Sequence, residues 1–123
     1  MQDFRRLHAW RKAHELVLAV YRATRQFPAD ELYGLTSQSR RSATSVAANI
    51  AEGCGRGGRR DFARFLRMAF GSASELEYHL LLAHDLHLLS DASYDDLTRE
   101  VSEVKQMLAS LIRRVDPRPV TPE

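Results

Sequence analysis

The stretch Tyr94-Asp95-Asp96-Leu97-Thr98-Arg99-Glu100-Val101-Ser102-Glu103-Val104-Lys105-Gln106-Met107-Leu108-Ala109-Ser110-Leu111-Ile112-Arg113-Arg114-Val115 decides the fold. Tyr94, Leu97, Val101, Val104, Leu108, Leu111 and Val115 recur in alternating steps of three and four, so one face of a helix is apolar from end to end. Ser93 is the expected N-cap, with Asp95 and Asp96 at the positive end of the helix dipole and Arg113 and Arg114 at the negative end. Asp116-Pro117 stops the pattern, and two further prolines mark residues 116–123 as a flexible C-terminal tail.

The same periodicity continues toward the N-terminus. Between about Asp61 and Leu89 the apolar seam is Phe62, Leu66, Ala69, Ala73, Leu76, Leu80, Ala83 and His87. Phe65, Phe70, Leu81, Leu82, Leu86, Leu88 and Leu89 stand beside it, too many for one narrow stripe, so this helix needs neighbours on more than one side. Gly71, a poor helix former inside that run, points to close approach of another backbone. A first helix is expected from Leu7 to Gln26, with Ala9, Ala13, Leu16, Val20 and Ala23 inward and Pro28 behind it. A second is expected from an Asp30 cap to about Ala51, closed by the glycines at 53, 55, 57 and 58. Four helices with short connections and no strand predict an all-α, antiparallel up-and-down four-helix bundle over residues 1–115.

Bulk properties bound the function. A chain of 123 residues and 14.0 kDa is one domain of ordinary globular composition. No run approaches the roughly 20 apolar residues of a membrane helix and no signal segment opens the chain, so the expected location is the cytoplasm. Cys54 is the only cysteine, which excludes an intramolecular disulfide and a cysteine-rich metal site. Charge is unevenly spread: residues 38–67 hold seven arginines against Glu52 and Asp61, whereas residues 68–104 hold Arg99 against eight acids. One part of the chain can therefore attract a polyanion that the other repels.

Helical projection of the second segment puts Ala43, Val46, Ala47, Ile50 and Cys54 on one face and Gln38, Arg41, Ser45, Asn49 and Glu52 on the other. That polar stripe is either a solvated face or a seam buried against another helix or subunit, with its amides satisfied there. The string Leu35-Thr36-Ser37-Gln38-Ser39-Arg40-Arg41-Ser42-Ala43, followed by Ser45-Val46-Ala47-Ala48-Asn49-Ile50-Ala51-Glu52-Gly53, resembles the hallmark of the four-helix bundle proteins encoded by intervening sequences in bacterial 23S rRNA genes. Trp10 and Ala13, Phe27-Pro28 with Glu31 and Tyr33-Gly34-Leu35, and Phe65-Leu66 with Ala69, Gly71-Ser72 and Glu75-Leu76-Glu77 extend the resemblance over nearly the whole chain. It implies a ring-like homopentamer. It also implies a relationship to the accessory proteins of diversity-generating retroelements, basic bundles that bind a reverse transcriptase and RNA, so a reverse transcriptase-like protein joins the expected partner classes. The intervening-sequence proteins themselves have no settled biochemical role.

Catalytic and cofactor chemistry finds little support. Gly53, Gly55 and Gly58 spell a dinucleotide fingerprint, yet a helix precedes them where that motif needs a strand. Di-metal bundles use Glu-x-x-His pairs, and neither Glu75 nor Glu77 has a histidine three residues on. His79, His84 and His87 offer at most a weak metal site, and Cys54 has no base and orienting group that the sequence identifies. The expectation is a non-enzyme with no cofactor and no metal. Arg60, Arg64 and Arg67 project within about 60° of one another, opposite Phe62 and Ala69, as an exposed cationic ridge. Arg56, Arg59 and Arg40 are candidates to extend it toward RNA or DNA. Three readings follow: a homo-oligomeric assembly or binding module touching nucleic acid through that ridge, a pure protein scaffold, or a His-rich metal-binding bundle.

Overall fold

The computed structural model of the chain describes residues 3–118. After a 3-10 turn at Phe4–Arg6, four helices follow: α1 (His8–Thr24), α2 (Ser37–Gly55), α3 (Arg59–Asp85) and α4 (Asp91–Val115). No strand occurs among the described residues. α2 packs on α1 and α3, and α4 closes the square against α3 and α1, giving the antiparallel up-and-down four-helix bundle. α1 and α3 therefore lie diagonally. No helix is long and apolar enough to cross a membrane among the described residues.

The α4 seam behaves as its spacing requires: Leu97, Val101, Val104 and Leu108 are buried, and Tyr94, Leu111 and Val115 pack at its ends. Leu16, Val20, Val46, Ile50, Leu66, Leu76 and Leu80 complete one continuous core. Truncating one such buried leucine to alanine typically costs about 2–5 kcal/mol, so a handful of these positions outweighs any surface pairing.

Helix ends depart from the sequence expectations. Ser90, not Ser93, caps α4: its side chain accepts from the Ser93 backbone N–H at 3.1 Å, which places Asp91 in the first turn. α3 stops at Asp85, so His87 leaves the seam and takes the left-handed conformation, with φ 64°. The chain after Pro28 forms a 3-10 turn at Ala29–Glu31 and a π turn at Leu32–Thr36 before α2 begins at Ser37, later than an Asp30 cap implies. Glu31 accepts from the Leu35 N–H at 3.1 Å and lies so close over Gly34 that a Cβ there would stand 2.7 Å from its carboxylate.

Two glycines exchange their expected roles. α2 continues through Gly53 to Gly55, and a Cβ on Gly53 would stand 2.9 Å from the Phe65 Cβ and 3.0 Å from the Phe62 ring. Gly53 is thus a point of close α2–α3 contact, while Gly71 faces open space with nothing within 4 Å. At the C-terminus, Asp116 folds back and is buried, its carboxylate accepting from Arg67 at 3.0 Å and from Arg118 at 2.7 Å. The first residue assigned to a flexible tail is therefore anchored; residues 119–123 of that tail lie outside the described residues.

Candidate nucleic-acid interface

The turn between α2 and α3 places Arg56, Arg59, Arg60, Arg64 and Arg67 at one end of the bundle, and all five are exposed. Their surroundings differ. Arg56 donates to Glu52 at 3.0 Å and Arg64 to Asp61 at 3.1 Å, and the two guanidiniums lie over the Phe65 ring, 4.9 and 4.6 Å from its centre. Phe65 is buried between α2, which it meets at Gly53, and these two arginines. Arg59 donates to the Val115 and Arg114 carbonyls at 3.2 and 2.9 Å, satisfying acceptors that the end of α4 leaves open. Arg67 holds Asp116, and Arg60 has no ion-pair partner among the described residues.

Arg40 does not extend the ridge. It sits about 20 Å away along α2, where its Nε donates to Thr24 Oγ1 at 2.9 Å and its guanidinium stacks on Tyr21, 4.5 Å from the ring centre. There it closes the C-terminus of α1, whose last carbonyls favour a cation.

What the ridge loses at Arg40 it regains from segments distant in sequence. Phe4 lines a groove with Ala51, and Leu7 and His8 line a cavity with Leu111 and Arg114. The N-terminal turn, the α2–α3 turn and the end of α4 therefore converge. Arg5, Arg6, Arg113, Arg114 and Arg118 join the five turn arginines there, and the carboxylates at this end are Asp3, Glu52, Asp61 and Asp116. Exposed ion pairs are worth about 0–1 kcal/mol, so Glu52 and Asp61 orient arginines more than they cancel them. The Arg113-Arg114 pair was legible as a signal: in an antiparallel bundle the end of a fourth helix must stand beside the start of the third.

The polar stripe of α2 divides. Ser45 and Asn49 are half-buried and satisfied within the subunit: Ser45 hydrogen-bonds Ser72 across α3 at 2.8 Å, and Asn49 Nδ2 donates to the Ser45 carbonyl and hydroxyl at 2.9 and 3.0 Å. Gln38, Arg41 and Glu52 are exposed. The three histidines do not converge. His79 is buried with Nδ1 3.1 Å from Ser42 Oγ, His84 stacks on Tyr94 and meets Asp91 at 2.7 Å, and His87 is exposed in the turn. No group of three or more His, Cys, Asp or Glu residues is placed to hold a metal ion among the described residues. Cys54 is buried, and burial, with a smaller contribution from Asp3, pushes its thiol above the usual range, the opposite of an activated nucleophile.

Comparison with known proteins agrees with this architecture. A crystal structure of a protein of unknown function from the S23 ribosomal protein family of Bacteroides thetaiotaomicron superposes with a TM-score of 0.76 at 26% sequence identity, covering 85% of this chain and 98% of that one. A search of curated proteins gives no match. The family model of the 23S rRNA-intervening sequence protein matches residues 5–110, the four helices almost to the end of α4, and the chain belongs to that family.

Proposed function

We propose that the chain is a non-enzymatic, homo-oligomeric assembly module, pentameric by family resemblance, that contacts RNA through its arginine-rich end. The observation that carries the nucleic-acid part is the convergence of three separate basic segments on one end of the bundle, with Arg60 unpaired among the described residues and Arg113 and Arg114 exposed beside it. Arginine suits this role because its planar fork meets phosphate oxygens in pairs. Repetition of that end around a ring multiplies weak contacts, provided one polyanion reaches several copies together. A reverse transcriptase-like protein is the partner class that the resemblance suggests. The scaffold reading needs only the oligomer and leaves this end idle.

Arg60, Arg113 and Arg114 are the residues to change, because Arg59 closes α4 and Arg67 anchors Asp116. Replacing the three by glutamine should preserve helicity and mass, measured by circular dichroism and light scattering. Binding to single-stranded RNA should weaken with little sequence preference, and the log-log salt slope of one subunit should fall by about 2, from roughly 0.7 per lost phosphate contact. Equal slopes for the two proteins, or no RNA binding at low salt, would leave only the scaffold.

A further inference from the structure

The exposed large apolar residues among those described form two groups. Leu18, Tyr21, Leu32 and Tyr33 belong to α1 and its connection to α2, whereas Met68, Tyr78, Leu81 and Leu86 belong to α3 and its C-terminal end. Because α1 and α3 are diagonal in the bundle, the two groups face opposite sides of the molecule. A single contact between like surfaces cannot cover both.

Leu18 and Tyr21 of the first group line a groove of about 510 Å³ between α1 and α2, together with Trp10, Val17, Ala48 and Ala51. The small residues on α2 let a partner's side chains descend between the helices. No carboxylate lines the groove. Arg25 and Arg11 project within about 60° of His14 on the outer side of α1, while Arg22 lies on the side of α1 facing Glu100 of α4, and Arg41 is exposed on the α2 side near Arg40. The acids around it are already engaged, Asp3 beside Phe4 with Arg5, Glu15 with Lys12 and Glu52 with Arg56, and Asp30 and Glu31 belong to the connection, outside the lining.

The second group has the opposite charge. On α3, Tyr78, Leu81 and Asp85 project within about 60° of one another, with Glu75 beside them, and Tyr78 is 59% and Leu81 41% exposed. No lysine or arginine occurs between Arg67 and Arg99. An apolar ridge with acidic flanks thus stands diagonally across from an apolar groove with arginine rims. We infer that the α3 ridge of one copy docks into the α1–α2 groove of the next, a head-to-tail contact that closes into a ring.

This rests on the homo-oligomer proposed above and names its two surfaces. A standard interface buries roughly 800 Å² on each partner. Two such faces amount to about a fifth of the 7620 Å² surface of the subunit, an area this molecule can supply. Unlike faces on opposite sides generate rings or filaments, whereas a two-fold contact would pair a face with itself.

The test uses Ala48→Arg to block the groove and Tyr78→Arg to block the ridge, both at exposed positions. Leu18→Arg and Leu81→Arg replace either variant that loses helicity by circular dichroism. With wild type oligomeric by light scattering, each variant alone should have the 14.0 kDa mass of one chain. An equimolar mixture should give a dimer and nothing larger, since the groove-blocked copy keeps its ridge and the ridge-blocked copy keeps its groove. A monomeric wild type would overturn the oligomer and this contact together. Variants that still assemble like wild type, or monomeric variants that fail to pair, would overturn the contact alone and leave the oligomer standing.

Discussion

The carboxylate of Asp116 lies between two guanidiniums, Arg67 from α3 and Arg118 just beyond α4. Hydrogen bonds from Arg118 and then Arg67 hold its pKa well below the usual carboxylate range. Because the folded-state value is the lower one, its contribution to stability is complete above the unfolded value of about 3.9 and is lost as pH falls through the folded value. Asp116→Asn should therefore unfold at lower urea than wild type at pH 7, with the gap narrowing steadily below about pH 4. A gap of equal size at pH 7 and pH 2.5 would show that the pairs contribute nothing. At this scale the sequence was least informative, since Asp116 followed by proline reads as a stop signal and nothing local shows that Arg67, on another helix, receives it. Arg40 is a similar case: the charge was visible, but its target, the end of α1, is a tertiary contact.

Helices as units were legible because their seams are long and regular, and their ends were less so because two capping serines stood three residues apart. Ser90 and Ser93 both precede acids, and packing of the turn at Leu88 and Leu89 against the core favours the earlier one. Glycines inside helices were ambiguous for a related reason, since a missing side chain marks either close approach or mere tolerance. Here Gly53 is the close approach, with the Cβ of Phe65 too near its own backbone to move aside. Gly53→Ala should lower stability by up to about 2 kcal/mol in thermal unfolding, an overpacking cost of about 1–3 kcal/mol offset by about 1 kcal/mol of better helix propensity. Gly71→Ala meets no atom in the subunit and should gain about 0.5–1 kcal/mol. A loss at Gly71 would mean that a neighbouring copy passes there, and a gain at Gly53 would contradict the packing described.

The whole molecule is electrically polar, with arginines gathered where three chain segments meet and acids dominating α3 beyond Arg67 and the first part of α4. The imbalance along the sequence was plain, but its sharpening in space depends on antiparallel topology, which brings Arg5, Arg6, Arg113 and Arg114 to the α2–α3 turn. The histidines show the reverse: crowded in sequence, they separate because α3 turns one inward to Ser42 and one toward α4, and ends before the third. One feature of the arginine end gives the protein an internal stopwatch. Its sole thiol, Cys54, is buried at that end close to Asp3, so a thiol reagent reacts only during the moments when the end opens. Labelling of the native protein should be far slower than in urea, and RNA bound at that end should slow it further by holding the end shut. Labelling at the same pace with and without saturating RNA would mean that the nucleic acid sits elsewhere.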